Sequence, residues 1–235
     1  MSSARGRFIT LEGGEGTGKS TQARRLAAAL QKGGLEVVLT REPGGSAGAE
    51  AVRHVLLSGA AKDFGPQGEA LLFAAARADH VDSLIRPALA AGKWVICDRF
   101  IDSTRVYQGA VGAVPGALLD SLEWVAAAEA RPDLTLVLDV PPEVGLSRAA
   151  GRGEGADRFE SEGLAFHTRV RDAFLALAKA DPARCIIVDA SGGPDDVAAL
   201  VWSSVRERLV PPEKPLAAKP AGTRKPAGSG RRRTR

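Results

Sequence analysis

Eight consecutive residues, Gly13-Gly14-Glu15-Gly16-Thr17-Gly18-Lys19-Ser20, carry the clearest chemistry in this chain. They fit the pattern G-x-x-x-x-G-K-[ST], a loop that folds around a polyphosphate. Glycines let successive backbone N–H groups curl round phosphate oxygens without Cβ obstruction. A helix starting directly after the loop adds the partial positive charge of its N-terminus. In that arrangement Lys19 reaches the β- and γ-phosphates and the Ser20 hydroxyl ligates Mg²⁺, with Thr21 closing the ATP seat. The motif speaks for nucleoside triphosphate binding and is silent about the acceptor. Glu15 is out of place in such a loop, because a carboxylate beside a polyphosphate is repelled. It suits a sugar hydroxyl on a second substrate facing the loop, or else points outward to water.

Further candidates follow the strands. Trp94–Cys97 runs into Asp98-Arg99-Phe100, and in open parallel sheets the ligand crevice lies outside the carboxyl ends of the strands. Asp98 there suits the Mg²⁺ shell, and the fork of Arg99 suits a phosphate; a structural Asp–Arg pair fits the same residues. Thr40-Arg41-Glu42-Pro43-Gly44-Gly45, at a second strand end, is either a plain loop or the wall of a phosphate pocket, with Arg53 one or two helical turns on. Phe73 and Arg77 stand at i, i+4 on one helix face, where a ring and a guanidinium can stack on a base and bond its edge. An aromatic at that spacing also fits a core. Ser103, Thr104, Tyr107 and Gln108 follow the Asp98-Arg99 corner at helical spacing and offer hydroxyls and an amide, to the crevice or to local capping.

Arg148, Arg152 and Arg158 lie among Gly151, Gly153 and Gly155, between two helical stretches. Glycine permits large backbone excursions, so the segment reads as a closing flap whose arginines neutralise charge on a transferring phosphoryl group. A solvated loop has the same composition.

These residues need elements to hold them, and the chain supplies an alternation. Short apolar runs at Phe8–Glu12, Val37–Thr40, Trp94–Cys97, Leu134–Asp139 and Cys185–Asp189 read as strands. Helical patterns fill Lys19–Leu30, Glu69–Ala91, Gly116–Ala130, Glu143–Ala150, Arg158–Ala180 and Pro194–Val210. Near-continuous apolar strands separated by helices predict a parallel α/β sheet covered on both faces, in one doubly wound domain over residues 1–210.

Composition narrows the classes. The apolar fraction of 44% supports a real core, and no apolar run approaches a membrane span. The segment before Phe8 has no apolar stretch of the secretory kind. Cys97 and Cys185 sit in apolar runs without metal spacing, so a reduced, cytoplasmic protein is expected. The net charge of +4 belongs to the end of the chain: residues 211–235 carry eight basic side chains and one acidic. Residues 1–210 are therefore mildly acidic. The Pro-, Gly- and Arg-rich end buries too little apolar surface to order itself and is expected to be a disordered basic tail. It is a solubilising extension or a weak nucleic-acid contact.

Taken together, FITLEGGEGTGKST, TREPGG, LLFAAAR, CDRFIDSTRVYQG and DRFE resemble the thymidylate kinases over residues 7–210. The resemblance implies a P-loop nucleoside monophosphate kinase fold with a five-stranded parallel sheet in the order 2-3-1-4-5. It implies transfer of the ATP γ-phosphoryl group to dTMP, with Mg²⁺, in a homodimer without membrane association. It puts Glu15 at the sugar 3′-hydroxyl, Phe73 on the thymine ring, Arg77 at the base edge and Arg99 on the dTMP phosphate. Thr104 and Gln108 fall near the base, Tyr107 where bulk disfavours a ribose 2′-hydroxyl, and Pro43 and Arg53 on the monophosphate side. Some members carry an arginine directly after the acidic loop residue; here that position is Gly16. The likeness is to the bacterial type with a lid arginine, for which Arg152 is the candidate and Arg148 and Arg158 its supports at the ATP. The resemblance leaves the role of Arg105 open.

The acceptor in such a reaction is already an ionised phosphate oxygen, so no strong general base is needed. His54, His80 and His167 are accordingly scattered. Positioning and electrostatics by Lys19, Arg99, Arg152 and Glu15 are expected to carry the rate. The competing readings are another monophosphate or deoxynucleoside kinase, and a DNA-associated P-loop module using the basic tail.

Overall fold

The computed structural model describes residues 5–127, 130–151, 159 and 162–210. Five strands form one parallel sheet: β1 (Phe8–Glu12), β2 (Val37–Arg41), β3 (Trp94–Asp98), β4 (Leu134–Asp139) and β5 (Cys185–Asp189). Their order is β2-β3-β1-β4-β5, as the family resemblance implies. β1 is central, with Ile9 opposite Ile96 of β3 on one side and Leu134 of β4 on the other. Every residue of β1 is buried, which explains a run without polar alternation. Its one internal hydroxyl, on Thr10, bonds the Thr135 hydroxyl across the ladder at 2.8 Å.

The helices among the described residues are α1 (Lys19–Lys32), α2 (Ala47–Leu57), α3 (Gly65–His80), α4 (Arg86–Ala90), α5 (Ile101–Thr104), α6 (Gly116–Ala127), α7 (Pro142–Ala150), α8 (Leu164–Ala180) and α9 (Pro194–Leu209). Leu26 and Leu30 of α1 pack with Val197, Val201 and Val205 of α9 over one face of the sheet. Phe8, Val95 and Phe100 meet Ile85 and Leu89 on another part of it. Val106 and Tyr107 pack against Val170 and Phe174 of α8. The carboxyl ends of β1, β2, β3 and β4 therefore share one rim, and the chain reverses its strand order around β1.

The pattern over Glu69–Ala91 predicts one helix. The structure divides it: α3 widens into a π-helical turn at Val81–Ile85 before α4. Pro87 lacks an N–H and cannot continue an ordinary ladder, so the register shifts just ahead of it. A second widened turn, Arg105–Val111, extends α5. The sequence reading gives no range for helix α2, although it places Arg53 a helical turn or two past the second strand. The helix carries Val52, Val55, Leu56 and Leu57, but only Ala49 and Leu56 are buried. The segment holding Arg152 and Arg158 and the basic tail after Val210 lie outside the described residues.

Candidate active site

The phosphate loop leaves β1 at Glu12 and enters α1 at Lys19. Gly18 precedes the helix in the left-handed region (φ 89°) and offers no capping side chain. The first amides of α1 are thus left for a ligand rather than satisfied locally. Lys19 is buried, and its ammonium group donates to the carbonyl oxygens of Gly14 (2.7 Å) and Gly13 (3.1 Å). Burial, with Arg99 nearby, lowers its pKa to about 8 against the pull of Glu15, Asp98 and Glu12. The Ser20 hydroxyl donates to the Asp98 carboxylate, so two hard oxygen donors from α1 and β3 stand side by side.

β3 then turns sharply. Arg99 adopts φ 68°, a conformation that a long side chain seldom takes and that marks a constrained site. Its guanidinium donates to the Gly13 carbonyl (3.1 Å), to the Ser103 hydroxyl (3.3 Å) and to the carboxylate of Glu15. It also stands 5.3 Å from the Tyr107 ring centroid. The Tyr107 hydroxyl donates to the same Glu15 oxygen at 3.0 Å. Burial alone would raise the Glu15 pKa, but Arg99 first, then Lys19, the Tyr107 bond and His167, outweigh it and lower it to about 2. Glu15 therefore points inward as an ionised acid, not out to water.

One cleft of about 560 Å³ runs over this rim. Glu15, Gly16, Gly18, Lys19, Ser20 and Thr21 of the phosphate loop and the start of α1 line it, together with Asp98 and Arg99 at the end of β3. Pro43, Arg53, Phe73, Arg77, Thr104, Tyr107 and Gln108 line the remainder. Phe73 is only partly buried, so its ring is available to the cleft. Gly13, Gly14 and Thr17 also border a smaller cavity behind the loop, shared with His167 and Arg171 of α8.

The sequence missed what secures Arg77. Its guanidinium donates to Glu42 (2.8 Å), to the Phe100 carbonyl (3.2 Å) and to Thr104 (3.0 Å). His80 bonds the other Glu42 oxygen (3.1 Å) and, through its far nitrogen, the Thr40 hydroxyl (2.7 Å). A chain Thr40–His80–Glu42–Arg77 thus ties the end of β2 to α3. No local pattern announces it, because its partners lie 35 and more residues apart. Gln108 donates to buried Glu69 at 3.3 Å, and Arg53 donates to the Pro43 carbonyl at 2.6 Å.

Two arginines go elsewhere. Arg148 donates to the carbonyl oxygens of Ala190 and Ser191, both at 2.9 Å, and is absent from the lining of the cleft. Arg105, whose role the resemblance leaves open, faces α6 and pairs with Glu123 and Asp120.

The family model for thymidylate kinase matches residues 11–201. The chain belongs to the thymidylate kinase family. A thymidylate kinase of Bradyrhizobium sp. (strain BTAi1) is 59% identical over 207 residues, 87% of this chain and 92% of that protein. The Nitrobacter winogradskyi thymidylate kinase is 57% identical over 210 residues, 88% of this chain and 91% of its own. A solved thymidylate kinase structure from Ehrlichia chaffeensis superposes with a TM-score of 0.70 at 34% identity, covering 86% of this chain and 99% of that one.

Proposed function

We propose that this thymidylate kinase family member transfers the γ-phosphoryl group of ATP to dTMP, giving dTDP, within the single cleft described above. The observation that carries the reading is that one continuous cleft is lined by Lys19 and Ser20, by Arg99, and by Phe73 and Arg77 together. Two anionic groups and one flat base fit such a lining. In the proposed assignment Gly13, Gly14, Gly16, Thr17, Gly18 and Thr21 cradle the ATP phosphates with Lys19. Arg99 receives the dTMP phosphate, Glu15 the sugar hydroxyl, and Phe73, Arg77, Thr104 and Gln108 the thymine. Tyr107 restricts the space beside the sugar, and Pro43 and Arg53 bound the monophosphate side.

Ser20 and Asp98 supply hard oxygen donors suited to Mg²⁺, and when bound the ion would neutralise charge between the donor phosphates. The residues themselves align and hold. Glu15 keeps the Arg99 fork oriented through an ion pair, and Tyr107 fixes Glu15. No side chain need act as a base, because the acceptor is an ionised phosphate.

The resemblance extends the proposal to a homodimer in the cytoplasm. Exposed Trp124 (74%) and Val125 (72%) on α6 support a buried apolar contact between copies. Among the described residues no helix is long and apolar enough to cross a membrane. The deciding experiment incubates the protein with ATP and, separately, dTMP, dUMP, UMP and thymidine. dTMP is expected to be phosphorylated far ahead of the others; a preference for thymidine would make the protein a nucleoside kinase.

A further inference from the structure

Glu12 is the last residue of β1, directly before the phosphate loop, and it is completely buried. An acid at the centre of a sheet is costly unless its oxygens are satisfied. One oxygen accepts from the Phe100 N–H (2.7 Å) and the Ser103 N–H (3.2 Å), and the other from the Ser103 hydroxyl (2.6 Å). All three donors belong to the corner where β3 turns into α5.

That corner needs support. Arg99 sits in the left-handed region, and Phe100, which opens α5, has no side chain able to cap the helix amides. Glu12 accepts from those amides across the sheet, doing from another strand what a capping residue does locally. The backbone N–H of Arg99 also donates to the Leu11 carbonyl at 2.9 Å. Ser103 passes the restraint on: its hydroxyl donates to Glu12 and accepts from the Arg99 guanidinium at 3.3 Å. That guanidinium also bonds Gly13, the residue after Glu12.

We propose that Glu12 is a positioning residue for phosphoryl transfer, fixing Arg99 against the phosphate loop through Ser103 and so setting the spacing of donor and acceptor. The inference rests on the dTMP kinase reading. Its electrostatic setting agrees with a retained rather than incidental acid. Burial, then the neighbouring Asp102, raises the Glu12 pKa to about 7, against Ser103, Arg99 and the Phe100 amide. An aliphatic side chain would fill the same place without that penalty.

The test measures steady-state kinetics and thermal unfolding of wild type, Glu12→Gln, Ser103→Ala and the double variant. The amide that Glu12→Gln introduces puts a donor where a carboxylate oxygen accepted. It either reverses the bond to the Ser103 hydroxyl or opposes the Phe100 and Ser103 N–H groups, disturbing the relay to Arg99 while size is kept. Misplacement on the ångström scale is worth about a hundredfold. Glu12→Gln is therefore expected to lose between about tenfold and a hundredfold in kcat. KM for dTMP should rise with it, and KM for ATP should stay within about twofold. Ser103→Ala should show the same dTMP-sided defect more mildly, and the double variant less than the sum of both effects. Wild-type kinetics in Ser103→Ala, or additive losses in the double variant, would overturn the proposal, and Ser103→Ala decides alone if Glu12→Gln does not fold. A wild-type protein inactive on dTMP would overturn the functional reading and this inference with it. An active wild type beside a silent Ser103→Ala would overturn only the positioning role.

Discussion

Gly16 of the phosphate loop and Gly145 of α7 touch backbone to backbone. A Cβ on Gly16, which has φ 66°, would fall 1.8 Å from the Gly145 carbonyl oxygen. A Cβ on Gly145 would fall 2.4 Å from the Glu15 carbonyl oxygen. The neighbour in each case is main chain, so neither clash can be relieved by a side-chain rotation. The loop is closed to the arginine that some family members carry at this position.

Gly16→Arg should therefore not transplant that arrangement. It is expected to displace the loop and abolish ATP binding, measured by calorimetry. Gly145→Ala should cost about 1–3 kcal/mol of stability, the usual penalty for overpacking, and raise KM for ATP. Unchanged ATP affinity in both variants would mean that the contact does not shape the loop.

Arg77 and Glu42 form a buried pair, with Arg77 4% and Glu42 5% exposed at the side chain. Removing one partner leaves the other charge without its counterpart in a dry site. Arg77→Ala is expected to lower unfolding stability in urea by about 3–5 kcal/mol and to raise KM for dTMP as well. A binding defect with full stability would show that Glu42 and His80 rearrange to compensate each other.

Phe73→Ala tests the base end alone. Base-on-ring stacking is worth about 1–3 kcal/mol, so KM for dTMP should rise about tenfold or more while KM for ATP is spared. The ring is partly exposed, and its loss should hardly alter the unfolding midpoint. Equal changes in both KM values would place the ring in the packing rather than under the base.

Two loop-proximal acids pull stability in opposite pH directions. Glu12 is raised to about 7, so between about pH 4.5 and 7 the native state holds a proton that the unfolded chain has released, and stability falls as pH rises through this window. Glu15 is lowered to about 2; its contribution is present above about pH 4.5 and is lost as pH falls toward 2. Urea unfolding from about pH 3 to 8 should show a flatter neutral side in Glu12→Gln and a flatter acid side in Glu15→Gln. Parallel curves for wild type and both variants would contradict these assignments.

Arg152 is the candidate for the transferring group through the family resemblance. Arg152→Ala is expected to lower kcat far more than it weakens dTMP binding. Matched losses in both would remove it from the transition state.

The strands and the phosphate loop are legible in the sequence because each depends on nearest neighbours. A buried parallel strand reads as a continuous apolar run, and the loop needs fixed residue types at fixed spacing. Phe8–Glu12 and Cys185–Asp189 accordingly have the same ends in sequence and structure. Lys19, Ser20, Asp98 and Arg99 are legible as residues lining the cleft, because the phosphate loop has fixed spacing and strand ends face the crevice in this class of sheet. Helix α2 is less so, because among Val52, Val55, Leu56 and Leu57 only Leu56 is buried, so its apolar residues do not mark a single core face.

What only the tertiary structure decided are the pairings between segments far apart in the chain. Glu12 reads as the plain end of a strand, and its bonds to the corner 88 and more residues on exist only once β1 and β3 lie side by side. Arg148 reads as one of three flap arginines, yet its guanidinium meets carbonyls more than 40 residues away. Local residue types fix local backbone geometry, whereas the partner of a buried charge is set by whichever strand or helix the fold brings within hydrogen-bonding distance.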